Sequence, residues 1–303
     1  MKIAAGIVLY NPNADRFKTC LDALIQQVDR IYIFDNSENS EIVLKLEKVV
    51  YLTENKNLGI AYALNRIMEA AQNDGFDWVI TMDQDSIIPT GLVDAYKKAI
   101  GGTKEIGIVC PQVIDTRRAY MEVKTTPKEE YVDFCITSAS CTSVEVWEKV
   151  GKFDEWLFID LVDNDFCKRL ILSGYKILKL NDMVLNQEFG KIIPKSERSQ
   201  KFWVYVSKLL RNQNFAKFSY RKIVSPTRVY YTCRNVIYVN KKLSAYGAVA
   251  YKENYNCNSY LGFVISFILP SILRAQDKIQ VIKAVINGTR DGKKHSESSW
   301  EKE

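Results

Sequence analysis

Residues 78–86 read Trp-Val-Ile-Thr-Met-Asp-Gln-Asp-Ser, and this stretch decides the predicted fold. The apolar and β-branched run up to Met82 is typical of a buried strand, which would deliver Asp83 and Asp85 to its carboxyl end. Ligands bind at that end of the strands in open α/β sheets, and hard divalent cations prefer carboxylate oxygens. The pair is therefore a candidate metal site. The pattern also fits a turn before a helix, because Asp83 and Ser86 are good turn and capping residues.

Apolar runs of strand length alternate along the chain with stretches of helical periodicity. Further strands are expected at 3–9, 31–34, 49–52 and 106–110, and helices at 15–27, 60–71 and 92–100. This alternation is typical of βαβ units and a parallel sheet. The sequence predicts an α/β fold, and 303 residues are enough for one such domain with an appended segment.

Polar residues follow three of the predicted strands at the point where each strand ends. They are Tyr10-Asn11, Asp35-Asn36 and Asp83-Gln84-Asp85. At one edge of a parallel sheet they would form a crevice suited to a nucleotide and a cation. The loop Asn57-Leu58-Gly59 precedes a helix and offers backbone N–H groups to an anion or a base edge. The chain has neither GxGxxG nor GxxxxGK[ST], which disfavours dinucleotide oxidoreductases and P-loop NTPases.

A second acidic cluster brings Asp160, Asp163 and Asp165 within six positions, next to apolar residues such as Trp156 and Phe166. A carboxylate held against apolar and acidic neighbours has a raised proton affinity, as a general base requires. Asp163 could instead simply complement the dipole at the start of a helix.

Charge is distributed unevenly along the chain. Residues 1–190 contain 21 Lys/Arg and 29 Asp/Glu, whereas residues 191–303 contain 21 Lys/Arg and 7 Asp/Glu. The basic last third favours an anionic partner, such as a nucleic acid, a membrane surface or a phosphate-bearing acceptor.

The cysteines and the single histidine exclude several kinds of site. The seven cysteines form no CxxC pair and are expected to be reduced thiols, and His295 lies in a polar tail, so neither a His-based triad nor a zinc site is expected. The amino-terminal run lacks the features of a signal peptide. These features predict a cytoplasmic protein.

Taken together, these motifs resemble the inverting GT-A glycosyltransferases of family 2, most closely the bacterial rhamnosyltransferase-like branch. The resemblance covers nearly the whole chain. The matching segments are 8–12, 35–37, 57–61 with Asn65, 83–86, 151–155, 158–163 with Arg169 and Gly174, and 228–231 with Arg234 and Asn235.

The resemblance implies a GT-A fold and a role for each motif. Asp163 corresponds to the catalytic carboxylate, which takes a proton from an acceptor hydroxyl in one inverting displacement. Asp83 and Asp85 correspond to the DxD motif that binds Mg²⁺ or Mn²⁺ beside the donor diphosphate. The implied nucleotide-sugar contacts are Tyr10, Asn11, Asp35, Asn57, Gly59, Asn65, Asp83 and Gln84. The implied acceptor or phosphate contacts are Ser138, Asp160, Arg169, Arg228, Tyr231 and Arg234.

The chain departs from the family pattern at two points. Where relatives commonly have His-x-x-Gly, this chain has Gln187-Glu188-Phe189-Gly190, so Gln187 or Glu188 would replace the histidine as a metal ligand. A neutral amide oxygen is a weaker ligand than imidazole for transition metals. Where relatives usually have Ser-Gly, this chain has Ser138-Ala139, which places a methyl group where backbone approach is often close.

The predicted organisation is a GT-A domain at 1–194, with a nucleotide-binding part at 1–110 and an acceptor and catalytic part at 111–194. A helical basic segment at 195–303 would contact the acceptor or the membrane. The nearly charge-free stretch 260–273 is too short to span a bilayer and fits either a buried helix or an interfacial one. A nucleic-acid partner is disfavoured because it would leave both acidic clusters without a purpose.

The expected function is transfer of a hexose, L-rhamnose from dTDP-rhamnose, onto a polysaccharide or a lipid-linked oligosaccharide. A galactosyl or galactofuranosyl transferase that uses a UDP-sugar is the alternative within the class. A non-catalytic glycan-binding protein is a further hypothesis. A sugar-nucleotide pyrophosphorylase would need a basic Gly-rich loop after the first strand, which Tyr10-Asn11-Pro12-Asn13 does not supply.

Overall fold

Two units make up the part of the chain that the computed structural model describes, which is residues 1–39, 46–101, 105–211, 215–295 and 299–301. Unit 1 comprises Met1–Val113 and Lys124–Leu185. Unit 2 comprises Ile114–Val123 and Asn186–Glu301. By this division unit 2 takes in 114–123 and 186–194, which the sequence analysis assigned to the first domain.

The strands and helices predicted between residues 3 and 110 are all present, and the described residues up to 186 add three strands and two α-helices. The strands are β1 (Ile3–Leu9), β2 (Ile31–Asp35), β3 (Val49–Thr53), β4 (Trp78–Asp83), β5 (Ile106–Ile114), β6 (Glu129–Val132), β7 (Ser140–Ser143) and β8 (Lys176–Asn186). The helices are α1 (Ala14–Ile25), α2 (Ile60–Asn73), α3 (Leu92–Ile100), α4 (Val144–Val150) and α5 (Val162–Leu172).

The eight strands form one sheet in the order β3-β2-β1-β4-β7-β5-β8-β6. β1 pairs in parallel with β2 and β4, and β2 pairs in parallel with β3. This register sets Leu9 of β1 opposite Asp35 on one side, and Val8 opposite Asp83 on the other. The carboxyl ends of the three strands therefore meet at one edge of the sheet.

The rest of the sheet contains antiparallel pairs. β7 runs antiparallel to both β4 and β5, with Ser140 opposite Thr81, so residues just before β7 arrive beside the carboxyl end of β4. The predicted α/β fold is confirmed, in the form of a mixed sheet whose first four strands are parallel.

Alternation along β1 explains how helices cover the sheet. Ile3, Ala5, Ile7 and Leu9 belong to a core cluster that includes α1 and α3 residues. Gly6 points to the other face, as successive strand residues do. There it lies directly against Ile67 of α2, where a side chain larger than hydrogen would clash.

Unit 2 consists mainly of helices. Its further elements are β9 (Ile192–Pro194), α6 (Glu197–Leu209), β10 (Tyr220–Lys222), α7 (Pro226–Lys242), α8 (Val249–Tyr255), α9 (Tyr260–Phe263), α10 (Leu269–Arg274) and α11 (Lys278–Lys294). β9 and β10 form an antiparallel ribbon. The helices α7 and α11 pack closely because Gly288 and Gly292 of α11 lie against the backbone of Tyr230 and Arg234.

The charge-free stretch 260–273 belongs to a longer apolar region than the sequence analysis considered. By length and composition alone, the helical run Val249–Arg274 could cross a membrane, and only 17% of its most apolar window is buried. The run is interrupted at Asn256, whose φ is 51°, and restarts at Ser259, whose side chain accepts a hydrogen bond from the Gly262 N–H. A π-helical turn at Val264–Ile268 then joins α9 to α10.

Candidate active site

Hydrogen bonds tie together the loops that follow β1 and β4. The Tyr10 N–H donates to Gln84 Oε1 at 2.8 Å, and Gln84 Nε2 donates to the Tyr10 carbonyl at 3.3 Å. The Asn11 N–H donates to Ser37 Oγ at 2.8 Å, which joins the loop after β2 to the same edge. The Tyr10 side chain is 50% exposed, so its ring is available to a ligand.

Asp35 is fully buried at the end of β2. Its Oδ1 accepts a hydrogen bond from the Ser37 N–H at 2.8 Å, and its Oδ2 accepts one from the Tyr51 hydroxyl at 2.6 Å. The neighbouring Asn36 donates to the Gly59 carbonyl at 3.0 Å and accepts from the Leu58 N–H at 3.2 Å. These bonds fix the carboxylate of Asp35 and hold the loop 57–59 beside it.

The loop 57–59 in turn contacts the second acidic segment. Asn57 Oδ1 accepts a hydrogen bond from the Gly59 N–H at 3.1 Å, and the Ile60 N–H donates to the Phe158 carbonyl at 2.6 Å. Gly59 has a φ of 91°, and a Cβ at this position would lie 2.7 Å from the Phe158 carbonyl oxygen. Only glycine suits both this backbone conformation and this close approach.

The two carboxylates of the opening stretch have different surroundings. Asp83 is partly buried at the end of β4, and its N–H donates to Ser138 Oγ at 3.4 Å. Asp85 is exposed, and its Oδ2 lies 3.8 Å from Nη1 of Arg16. Ser138 itself is buried, in the segment that β7 brings to this edge.

Asp163 lies in the first turn of α5 and faces the same group of residues. Burial is the largest cause that raises its pKa to about 7, and the negative charge of Asp83 is the next. Asp160 adds to the rise, whereas a hydrogen bond from the Thr137 backbone opposes it. The structure thus brings Asp83, Asp160 and Asp163 close enough to interact electrically, although they come from two distant parts of the sequence.

The backbone before α5 is strained. Phe158, Asp160 and Leu161 have φ values of 48°, 68° and 61°, in the left-handed region that non-glycine residues seldom adopt. Such strain is concentrated at functional sites, where the surrounding structure holds it in place. It supports a functional interpretation of the 158–163 segment.

Two of the residues assigned to ligand contact have structural roles instead. Asn65 is 2% exposed and its amide binds Phe153, Glu155 and Trp147. Arg169 is 1% exposed and donates to Asp165 and to the carbonyls of Val150 and Lys152.

Because their polar atoms face inward, neither Asn65 nor Arg169 is placed to contact a nucleotide or an acceptor. The expectations for these two residues are corrected accordingly. The pattern of residue types could not distinguish an inward amide or guanidinium from a ligand-binding one.

The remaining predicted contacts lie in unit 2. Arg228 is exposed in the first turn of α7, and the Arg234 guanidinium lies 4.7 Å from the centre of the Tyr231 ring. Burial lowers the pKa of Arg234, and its Nε donates to Asn235 Oδ1 at 2.8 Å. Gln187 is partly buried, and its N–H donates to the Ile114 carbonyl at 2.8 Å.

The sequence analysis did not assign roles to Asn36, Tyr51, Thr137 and Phe158. Asn36 could have been chosen, since it lies within the strand-end motif at 35–37. Nothing near Tyr51 or Thr137 in the sequence indicates their contacts with Asp35 and Asp163, which arise from strand pairing and from the return of the chain at β7.

An α/β sheet with acidic strand ends and a second carboxylate beside them is the arrangement of a GT-A glycosyltransferase, and comparison with known proteins supports this class. Residues 5–139 match the model of the family described as Glycosyl transferase family 2. Residues 5–139 therefore carry a glycosyltransferase family 2 domain, and the protein is a glycosyltransferase.

A curated relative is the dTDP-rhamnosyl transferase RfbF of Shigella flexneri. It is 26% identical over 310 residues, which cover 96% of this chain and 95% of the relative.

The solved structures that resemble the chain share its fold at low sequence identity. The S. aureus TarS 1-349 complex with UDP-GlcNAc has a TM-score of 0.55 at 11% identity and covers 96% of this chain and 90% of its own. GalNAc-T7 with UDP, GalNAc and Mn²⁺ has a TM-score of 0.52 at 13% identity and covers 88% of this chain. The chain spans just over half, 56%, of the GalNAc-T7 chain.

Proposed function

We propose that this protein transfers L-rhamnose from dTDP-rhamnose onto a polysaccharide or a lipid-linked oligosaccharide, with inversion at the anomeric carbon. The proposal rests on one observation: burial and the nearby charge of Asp83, at the end of β4, raise the pKa of Asp163 to about 7. The similarity to the rhamnosyl transferase of Shigella flexneri along almost the whole chain supports the choice of sugar.

Asp163 serves as the general base in this proposal. It accepts the proton of an acceptor hydroxyl while that oxygen attacks the anomeric carbon and the bond to the nucleoside diphosphate breaks on the opposite side. A base works best when its pKa is near the working pH, because it is then ionised and still binds the proton well. A single base is enough, unlike the paired carboxylates of most glycosidases.

The loops after β1, β2 and β4 hold the donor. Asp35 is fully buried and bonded to Ser37 and Tyr51, so it positions the loop after β2 and does not contact the donor itself. The exposed ring of Tyr10 packs against the base. The loop 57–59 presents backbone next to them. These groups are set in place by their own hydrogen bonds, so little ordering is required when the donor binds.

The side chains at the end of β4 fit a divalent cation. Among the described residues, no group of three or more His, Cys, Asp or Glu side chains converges on one point. Mg²⁺ is typically held by one or two carboxylates together with substrate phosphates, a requirement that Asp83 and Asp85 meet. When bound, Mg²⁺ or Mn²⁺ would offset the negative charge that grows on the departing nucleoside diphosphate.

The test is release of nucleoside diphosphate from dTDP-rhamnose, UDP-galactose, UDP-galactofuranose, UDP-GlcNAc and GDP-mannose, with a bacterial glycolipid extract as acceptor. We expect dTDP release with dTDP-rhamnose and a loss of about 100- to 10,000-fold in Asp163→Asn, the range for removal of a general base. The control is Asp94→Asn, which removes an exposed carboxylate from α3.

Three results would contradict the proposal. Preference for UDP-galactose or UDP-galactofuranose would replace it with a galactosyl or galactofuranosyl transferase, and preference for UDP-GlcNAc or GDP-mannose would reject rhamnose as the sugar. Release by Asp163→Asn at the rate of Asp94→Asn would show that Asp163 is not the base. No release from any donor would favour a non-catalytic glycan-binding protein.

A further inference from the structure

Unit 2 contains a basic cavity of about 770 Å³ that the proposed mechanism does not use. Its volume is within the roughly 300–1,000 Å³ of ligand pockets. Its acidic lining residue is Glu253, and its aromatic ones are Phe218, Tyr220, Tyr255 and Phe267. The cationic residues that line it are Arg118, Lys195, Lys217, Arg221, Lys222 and Arg274.

The ribbon and α10 bring these cations together from distant parts of the sequence. In the ribbon, Arg221 pairs with Ile193, and the Lys195 N–H donates to the Ser219 carbonyl at 3.0 Å. Arg274 ends α10, where the dipole of a helix favours positive charge but leaves the side chain free to reach outward. The lysines and arginines of these two elements are exposed to solvent, so an ion can reach them.

One wall of the cavity is held rigidly. Arg118 donates from Nη2 to the Phe189 carbonyl at 2.8 Å and from Nε to Asp115 at 3.1 Å, and its guanidinium lies 5.2 Å from the centre of the Tyr220 ring. Although burial favours protonated Asp115, hydrogen bonds from Arg117 and the Phe189 N–H lower its pKa to about 2. Asp115 therefore compensates Arg118 and keeps it in place.

Apart from Arg118, five of the described residues that line the cavity are cationic, and its acidic lining residue is Glu253. In the described part of the chain, no carboxylate lies within ion-pair distance of Lys195, Arg221 or Arg274. A concave group of Lys and Arg side chains with aromatic walls attracts a multiply charged anion, and three of these cations have no paired carboxylate in the described ranges. Each guanidinium group can donate two parallel hydrogen bonds to a phosphate. A phosphate or diphosphate group matches this chemistry.

The helical wall of the cavity also has an apolar outer surface. Ser266 and Phe267 line the cavity, whereas Leu261, Ile265, Leu269 and Leu273, spaced four residues apart, are 49–69% exposed. We call these four residues the apolar stripe. An apolar stripe next to cationic side chains is typical of a helix that lies in the interface of a membrane.

We propose that the basic cavity of unit 2 binds a phosphate or diphosphate group carried by a lipid, while the apolar stripe lies against the lipid tails. Such a lipid phosphate is the kind of group that a lipid-linked acceptor carries, so the role of this site rests on the proposed function. Its test requires no sugar transfer.

Binding of inorganic pyrophosphate to the full chain is measured by calorimetry in the presence of EDTA, which removes any contribution from a cation at β4. The double variant Arg221→Gln/Lys222→Gln removes two cations from the cavity. The matched control, Lys201→Gln/Lys252→Gln, removes two exposed lysines that do not line it. We expect the first variant to raise Kd by about tenfold or more and the control to leave it within about twofold.

The lipid is tested by co-sedimentation with phosphatidylcholine vesicles that contain either phosphatidic acid, which has a terminal phosphate, or phosphatidylglycerol, which does not. We expect the native chain to prefer phosphatidic acid and the cavity variant to lose this preference. The variant Leu261→Ser/Leu273→Ser, which removes two members of the apolar stripe, should bind both kinds of vesicle more weakly.

Equal pyrophosphate affinity in the cavity variant and the control would overturn the anion site. Pyrophosphate binding in the cavity without preference for phosphatidic acid would overturn the lipid as its carrier. Release of nucleoside diphosphate by the same variants is assayed separately, so failure of the glycosyltransferase proposal would be seen independently.

Discussion

Asp160, Asp163 and Asp165 have the same side chain but lie in three different environments. Asp160 lies in strained backbone with a φ of 68°. The pKa of Asp163 is raised to about 7, chiefly by burial. Asp165 is fully buried, and its Oδ2 lies 2.8 Å from Arg169 Nε. The proposed general base and a structural ion pair therefore occur two positions apart.

Asp163→Asn should alter stability in a pH-dependent manner. The folded-state pKa of about 7 exceeds the ordinary 3.8, so the folded state binds more protons between these values and stability falls as pH rises through that window. The amide avoids this penalty, which is up to about 4 kcal/mol at pH 8. Urea unfolding at pH 4 and pH 8 should show the variant more stable than the native chain at pH 8 only, and equal gains at both pH values would contradict the assignment.

The acid side of the pH-rate profile should reflect the same group. Because only ionised Asp163 accepts a proton, kcat/KM should rise with pH up to about 7, and it should rise at lower pH when a cation neutralises Asp83. The measurement is donor turnover across pH at low and saturating Mg²⁺. A flat profile from pH 5 to 8 would exclude a base with this pKa.

Asp165→Asn should reduce stability rather than act on the chemistry. Loss of one partner of a buried ion pair leaves the Arg169 charge uncompensated, which typically costs about 3–5 kcal/mol. Urea unfolding should show a lower midpoint, whereas turnover of the molecules still folded at low temperature should remain within about tenfold of the native value. A stable but inactive variant would identify Asp165 as a participant in the reaction.

At the scale of elements, the loop 57–59 before α2 connects the end of β2 to the 158–163 segment. Gly59 contacts Phe158, and Asn36 holds the loop by two hydrogen bonds. The start of α2 is therefore defined by contacts with β2 and with the 158–163 segment, and not by a capping side chain of its own.

Gly59→Ala should be much more damaging than Gly75→Ala at the other end of α2. Both glycines have positive φ, 91° and 73°, so both changes have the backbone cost of about 1–2 kcal/mol. Only Gly59 would also clash, since nothing lies within 4 Å of a Cβ at Gly75. Gly59→Ala should lower the unfolding temperature and raise the donor KM more than Gly75→Ala does. Equal changes in the two variants would show that the Phe158 contact is unimportant.

At the scale of the whole molecule, the uneven charge of the sequence corresponds to different chemistry in the two units. The acidic strand ends lie in unit 1, and the basic cavity lies in unit 2. In our proposals, unit 1 binds the donor with a cation, and unit 2 binds an anionic group of the acceptor.

Salt should weaken the use of a phosphate-bearing acceptor more than the use of an uncharged one. The cations of the cavity are exposed, and raising the salt from about 0.01 M to about 0.3 M shortens the Debye length from ~30 Å to under ~10 Å. KM for a phosphate-bearing acceptor should rise several-fold over this range, while KM for an uncharged saccharide acceptor should change little. Equal salt dependence for both acceptors would argue against a phosphate site in unit 2.

The sequence alone determined the α/β alternation and the strand ends that carry Asp35 and Asp83, because periodicity and strand-end chemistry are local properties. The glycosyltransferase class came from the resemblance of its ordered motifs to a known family. The tertiary structure raised the pKa of Asp163, because that shift depends on burial and on Asp83, far away in the sequence. It also showed that Asn65 and Arg169 are structural, and it gathered Lys195, Arg221 and Arg274 into one cavity. Contacts between distant segments create these environments, and no local pattern encodes them.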